Sequence, residues 1–214
     1  MIEDLAVALA AIVMFCSALY ATGQKNVKTL LLYSAISQFS YALAGIGLAG
    51  RSVEGLTGGV FHIINLAAIM LLFYFAAINL AHGTGTYRSD MMQGLSGKMP
   101  FTCWSFIAAT FALAGFPPFN SFVSGHMIVE GLIDVGSTIM AVAAFVIILT
   151  RVLILAYLLR SAHRVFFGQA LEKYSNVRES RLAEAVLLLL VAICVFIGIW
   201  PDSVLSILGT VIPR

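Results

Sequence analysis

The stretch Phe119–Leu159, FNSFVSGHMIVEGLIDVGSTIMAVAAFVIILTRVLILAYLL, decides how this chain is organised. It runs for about 40 mostly apolar residues, about 60 Å as one continuous helix at 1.5 Å per residue. The hydrocarbon core of a bilayer is only about 30 Å thick. The stretch is therefore either two spans or one long, interrupted span. Gly115–Phe116–Pro117–Pro118 marks its start, and the segment from Gly131 to Ser137 offers a place for a break.

Five further apolar stretches lie outside it: Leu5–Tyr20, Leu30–Ala49, Leu56–Leu80, Phe101–Phe116 and Ala183–Trp200. The 214 residues are 61% hydrophobic and only 10% charged, with mean hydropathy +1.00. Soluble domains carry about 25% charged residues, so water does not solvate such a surface and a bilayer does. Lipid-exposed backbone must satisfy its own hydrogen bonds, which predicts helices. A closed barrel would need short alternating strands, and the sequence has none. Glu3 and Asp4 stand where a secretory leader would be basic, so the first apolar run is expected to stay as a membrane helix.

Lys and Arg favour the cytoplasmic side of a membrane. Nine of the twelve basic residues fall in or beside three loops: Lys25 and Lys28; Arg88 and Lys98; and Arg160, Arg164, Lys173, Arg178 and Arg181. These loops share a side only if the long stretch crosses a net odd number of times, which favours one discontinuous crossing. The expected architecture is an all-α polytopic transmembrane bundle of about six spans with one discontinuous helix. Residues 1–214 form a single transmembrane domain, with the basic loops cytoplasmic and both termini outside.

Net charge is +2, and nothing suggests nucleic acid as a partner. Cys16, Cys103 and Cys194 sit in apolar runs without CxxC spacing and read as small core hydrophobes. No haem, zinc or iron–sulfur motif is present, so no metal or cofactor site is expected in this chain. No nucleophile–base pair is visible, so no catalytic residue is assigned.

Ionisable and amide side chains at bilayer depth are costly and are functional candidates by default. They are Gln38, His62, Asn65, His126, Glu130, Asp134 and Arg151, with Lys28 at the mouth of the second helix. His126, Glu130 and Asp134 have i, i+4 spacing and form one polar stripe on a helix. The stripe could pass a proton, meet a neighbouring subunit, or simply be hydrated at the lipid–water boundary. His62, one turn from Asn65, could anchor a proton relay or donate to a carbonyl of an adjacent helix. Arg151 lies deep in the run Ile139–Leu159 and cannot deprotonate. It needs a carboxylate from another helix or chain, a water-filled cavity, or a route to the headgroups. Gly58–Gly59 and the set Ala42, Gly45 and Gly47 are small-residue faces that permit close helix contact.

Several runs, in order, resemble the antiporter-like subunits of complex I, of membrane-bound energy-converting hydrogenases and of Mrp cation/proton antiporters. Asn26–Gln38 (NVKTLLLYSAISQ) resembles the family's Asp-x-Lys-Arg, Tyr-Ser-Ser-Ile segment, and Phe61–His62 its histidine-bearing helix. Asp90–Pro100 (DMMQGLSGKMP) resembles its Gly-Leu, Met-Pro loop. Leu113–Phe122 (LAGFPPFNSF) resembles its Gly-x-Pro-Pro, Gly-Phe element. Tyr157, Arg160 and His163–Gly168 (HRVFFG) resemble the end of its broken helix, and Gly198–Pro201 (GIWP) the close of the module. The match is best over residues 24–205 and corresponds to the second half of a full-length subunit. Where the family has a second histidine this chain has Leu66, and where it has a central lysine, Met70. Gly125 replaces the lysine or glutamate of the broken helix, and Asn26 replaces the aspartate of the first motif. Lys28 and His62 keep the pattern, and His126 stands one residue beyond the lost charge.

The resemblance implies an antiporter-like membrane-arm subunit of a complex I-related, redox-driven assembly that translocates protons or sodium. Its partners would be other membrane-arm subunits and the lipid bilayer. Short chain length favours an energy-converting [NiFe] hydrogenase, with iron–sulfur clusters and nickel–iron or other redox centres in partner subunits and none in this chain. The ion-path candidates are Lys28, His62, His126, Glu130, Asp134 and Arg151. A non-conducting spacer between pumping modules and redox arm, and an Mrp-type subunit, are the alternatives. An independent carrier fits less well, because half an inverted repeat lacks the paired midplane site.

Overall fold

The apolar runs form helices, and four of the starts are set by a side-chain cap. The computed structural model describes residues 2–212, which fold as eight α-helices with no strand among them. They are α1 (Ile2–Thr22), α2 (Val27–Ile46), α3 (Val53–Thr84), α4 (Pro100–Ala114), α5 (Ser121–Asp134), α6 (Thr138–Phe166), α7 (Arg181–Ile199) and α8 (Asp202–Val211). The side chains of Asn26, Ser52, Ser137 and Ser180 accept the free N–H groups of Lys28, Gly55, Met140 and Ala183 at four of these starts. Five helices, α1, α2, α3, α6 and α7, are individually long and apolar enough to cross a membrane.

The remaining crossing is assembled from two pieces. With 15 and 14 residues, α4 and α5 are each about 21–23 Å long, short of the bilayer core. Both run antiparallel to α3, one after the other. Asn79 Nδ2 donates to Thr102 Oγ1 at 2.6 Å, and the rings of Phe73 and Phe106 sit 4.5 Å apart, placing α4 on the C-terminal half of α3. Asn65 Nδ2 donates to the Asn120 carbonyl at 3.0 Å, and Gly58 packs against Met127 and Ile128, placing α5 on the N-terminal half. Together α4 and α5 match the 32-residue α3.

The discontinuous helix is thus present, but it spans residues 100–134 rather than 119–159. The interruption is at Gly115–Asn120, where Gly115 turns at φ +75° and neither Pro117 nor Pro118 has an N–H to continue a helix. The anticipated break near Gly131–Ser137 is instead a reversal. Gly136 at φ +71° turns the chain, and Ser137 caps the full-length α6. The apolar cluster of Ile128 and Leu132 with Met140, Ala143 and Ile147 zips α5 to α6 as a hairpin. The number of crossings remains about six.

This arrangement gathers the three basic loops at one end. The backbones of Asn26 and Arg88 pair in an isolated bridge, and Lys25 Nζ lies 3.7 Å from Asp90. Ser96 N–H donates to Phe166 O at 2.9 Å, and Tyr174 Oη donates to Met91 O at 2.9 Å. Arg88 is hydrogen-bonded to Asp90, which holds that carboxyl below the usual aspartate range, with Lys25 adding a smaller share. At the opposite end Arg51 pairs with Asp4.

The small-residue faces bring α2 and α3 into backbone contact. A Cβ added at Gly59 would lie 2.6 Å from Ile46 N, and one at Gly45 would lie 2.8 Å from Gly59 Cα. Cys103 and Cys194 are buried in the core, whereas Cys16 is exposed on the outside of α1. The last apolar stretch, expected to close at Trp200, resumes after Pro201 as α8, which packs on α3.

Candidate polar site at the helix interruption

The break between α4 and α5 leaves backbone groups without helical partners, and polar side chains from α2, α3 and α6 converge on it. Gln38 is buried on α2 because the turn containing Ser34, Ser37 and Gln38 faces inward. Its Nε2 donates to the Leu113 carbonyl, an α4 C-terminal acceptor, at 3.0 Å. Its Oε1 is therefore free to accept, and His62 Nε2 lies 2.9 Å away. The other imidazole nitrogen, Nδ1, is 3.0 Å from Ser124 Oγ on α5. Asn65 Nδ2 donates to the same Ser124 Oγ at 3.1 Å.

With Gln38 Oε1 accepting from His62 Nε2 and the imidazole neutral, the hydrogen bonds run in one direction. Asn65 donates to Ser124, Ser124 to His62 Nδ1, His62 Nε2–H to Gln38, and Gln38 to Leu113. The imidazole is neutral in this pattern. Protonation at Nδ1 would oblige the Ser124 hydroxyl to turn away, and the Ser121 carbonyl at 3.4 Å stands ready to receive it. The network can thus exist in two hydrogen-bonded states that differ by one proton and one hydroxyl rotation. Two buried amide oxygens, Asn65 Oδ1 and Asn120 Oδ1, have no partner. Each is a buried acceptor beside the break.

Tyr41 closes the site toward α6. Its hydroxyl donates to the Gly125 carbonyl at 2.6 Å. The edge-on ring lies 4.7 Å from the His62 ring, and the Arg151 guanidinium lies 5.2 Å from its centroid. Arg151 Nη2 donates to the Ser121 carbonyl at 3.1 Å. The Arg151 side chain has no carboxylate within ion-pair distance among the described residues; its neighbours are a carbonyl and an aromatic ring.

The candidates from the sequence therefore separate. His62 and Arg151, with Gln38 and Asn65, meet at the break. The stripe on α5 forms, with His126 Nε2 3.3 Å from Glu130 Oε2, but these side chains are 71% and 47% exposed. With Asp134, also exposed, they decorate the outer surface of α5, away from His62. Lys28 is exposed too, its Nζ 3.9 Å from the Tyr87 ring centroid, beside an apolar groove of about 500 Å³ that Met70 also lines. Tyr41, Asn120, Ser121 and Ser124 belong to the site without having been singled out. Hydroxyls in apolar helices commonly bond back to their own backbone, so sequence carries no signal to separate Ser124 from Ser40, which does so.

The polytopic helical chain thus sets a broken crossing against a buried imidazole network. The family model for the NADH:quinone oxidoreductase/Mrp antiporter transmembrane region matches residues 1–150, and the chain belongs to that family. It is 26% identical over 208 residues to the putative antiporter subunit mnhD2 of Staphylococcus aureus, covering 97% of this chain and 41% of that protein. A chain in the membrane-bound sulfane sulfur reductase, an archaeal respiratory membrane complex, superposes with TM-score 0.86 at 27% identity, over 98% of this chain and 42% of that one. A chain of the Mrp complex from Dietzia sp. DQ12-45-1b shares the fold with TM-score 0.87 at 22% identity, over 97% of this chain and 46% of its own length. This chain thus spans about two fifths of the length of the curated relatives it matches.

Proposed function

We propose that this chain contributes part of a proton or sodium path in the membrane arm of a multisubunit, complex I-related assembly. The observation that carries the reading is the buried His62, held between Gln38 and Ser124 at the break of α4 and α5. An ionisable ring at bilayer depth is costly unless it is used or fully compensated. Here the compensation is a switchable hydrogen bond rather than a fixed ion pair. Partner helices complete the path, because the described network ends at the Leu113 carbonyl and at the two unpartnered amide oxygens. An energy-converting hydrogenase and an Mrp-type assembly both use a subunit of this kind, and the proposal is made at the level they share. Redox centres, where the assembly has them, reside in partner chains. The clustered basic loops are placed on the cytoplasmic side by the preference of Lys and Arg for that side.

Replacement of the family's ionisable positions by Leu66, Met70 and Gly125 favours a second reading, a non-conducting spacer. The two are separated by substituting His62→Ala in the native assembly and measuring driven ion translocation. The conducting role predicts loss of translocation with the assembly intact at its normal size. Unchanged translocation would leave only the spacer.

A further inference from the structure

We infer that the cavity near the C-terminal ends of α1 and α6, at the end of the bundle that gathers the basic loops, binds a phosphate group through Arg160, Arg164 and Ser161. The group is that of an anionic phospholipid headgroup or of free phosphate. The cavity has a volume of about 160 Å³. That is room for one oxyanion and a few waters at ~30 Å³ each, and less than a drug-sized ligand needs. Arg160 and Arg164 both line it, with Ser161 and Tyr157 beside them on α6 and Lys25 and Ser89 from the facing loops. No aspartate or glutamate lines it.

Most polar groups in the wall are already engaged. Tyr157 Oη lies 2.8 Å from Ser34 Oγ, Ser89 Oγ donates to the Lys25 carbonyl at 2.9 Å, and Lys25 Nζ lies 3.7 Å from Asp90. Three donor side chains are left over. Ser161 is 6% exposed, and its buried Oγ has no hydrogen-bond partner. A buried hydroxyl without a partner is a cost that a ligand removes. Arg160 and Arg164 form no ion pair among the described residues, whereas Arg51 and Arg88 each hold a carboxylate. The two arginines stand one turn apart on α6, where like charges repel. An anion between them replaces that repulsion with two attractions. Guanidinium forks match the oxygens of a phosphate, and basic pockets between membrane helices at the cytoplasmic side hold anionic lipid headgroups. The C-terminus of α1 also meets the cavity, but its partial charge of about −0.5 is outweighed by two guanidinium ions.

The test uses the intact native assembly, delipidated in detergent, with phenylglyoxal modification of each arginine read by peptide mass spectrometry. Inorganic phosphate and dihexanoylphosphatidylglycerol are the two probes. At about ten times its half-protecting concentration, a bound probe should slow modification of Arg160 and Arg164 about tenfold, because only unoccupied sites react. The exposed Arg178 should keep its rate. Protection by phosphatidylglycerol where inorganic phosphate is inert assigns the group to a lipid headgroup. Equal protection by both assigns it to free phosphate. Ser161→Ala should raise the half-protecting concentration about tenfold, the worth of one hydrogen bond to a charged group, and leave the unprotected rates unchanged. No protection by either probe overturns the site, as does an equal slowing of Arg178, which marks a general coat of amphiphile. Parent-like protection in Ser161→Ala would put the anion on the surface and also overturn it. So would arginines that stay unreactive with no probe added, since a carboxylate of a partner subunit then fills the cavity.

Discussion

The carboxylate of Glu179 reaches back to the first turn of α4 and accepts the backbone N–H groups of Phe101 and Thr102, the former at 3.0 Å and the latter at 2.6 Å. The loop before α7 thereby supplies the N-terminal cap that Met99, at the cap position, lacks. Removing that carboxylate as Glu179→Ala should cost about 1 kcal/mol. Hydrogen exchange should accelerate at residues 101–103 and stay unchanged at residues 106–112.

Gln38→Leu strands two buried groups at once, the Nε2–H of His62 and the carbonyl of Leu113. Each orphaned group costs about 1–3 kcal/mol, so thermal unfolding in detergent should show a loss of about 2–6 kcal/mol. An unchanged midpoint would mean that water replaces the amide at no cost.

Gly59→Ala should disrupt the α2–α3 contact, because its Cβ would meet the backbone at Ile46 N and at the Ala42 carbonyl, 2.8 Å away. Backbone cannot move aside as a flexible side chain can, and overpacking of this kind costs about 1–3 kcal/mol. Gly97→Ala meets nothing within 4 Å and should unfold like the parent protein.

The loop pair Arg88–Asp90 sets a pH dependence. Hydrogen bonding to Arg88, with its charge and that of Lys25, lowers the Asp90 pKa in the fold. Its contribution is complete above the unfolded aspartate value of about 3.9 and is lost as pH falls through the lower, folded value. The link between the loops near Asn26 and Arg88 should therefore hold at neutral pH and loosen only in strong acid. Asp90→Asn should remove that acid transition, read as amide protection at Ser89, whose N–H bonds Lys25 O.

Much of the bundle was legible because its signals are long. Apolar runs of bilayer length, the charge of three loops and the Pro117–Pro118 pair gave the number of crossings and the end that gathers lysine and arginine. The position of the interruption was not legible in the same way. Gly115–Pro118 read as the start of the discontinuous crossing and Gly131–Ser137 as its break, and only the antiparallel fit of α4 and α5 to α3 distinguishes a pause from a reversal. At the site, His62, Gln38, Asn65 and Arg151 announced themselves as polar groups in apolar runs. Their partners did not, since Ser124, Tyr41 and the carbonyls of Ser121 and Gly125 acquire meaning only through tertiary contact. The α5 stripe shows the converse: i, i+4 spacing fixed that His126 would meet Glu130, but not which way the pair would face.

One backbone contact has mechanical weight. The Asn120 N–H, released by the interruption, is taken up by the Cys194 carbonyl of α7 at 3.1 Å, and a few residues on Gly198 lies flush against Pro118 and Phe119. The short link between α4 and α5 is therefore clamped to a helix that itself ends at the next proline, Pro201. Two jointed rods meet joint to joint, and a continuous run of hydrogen bonds leads from α7 through Asn120, Asn65 and Ser124 to the imidazole.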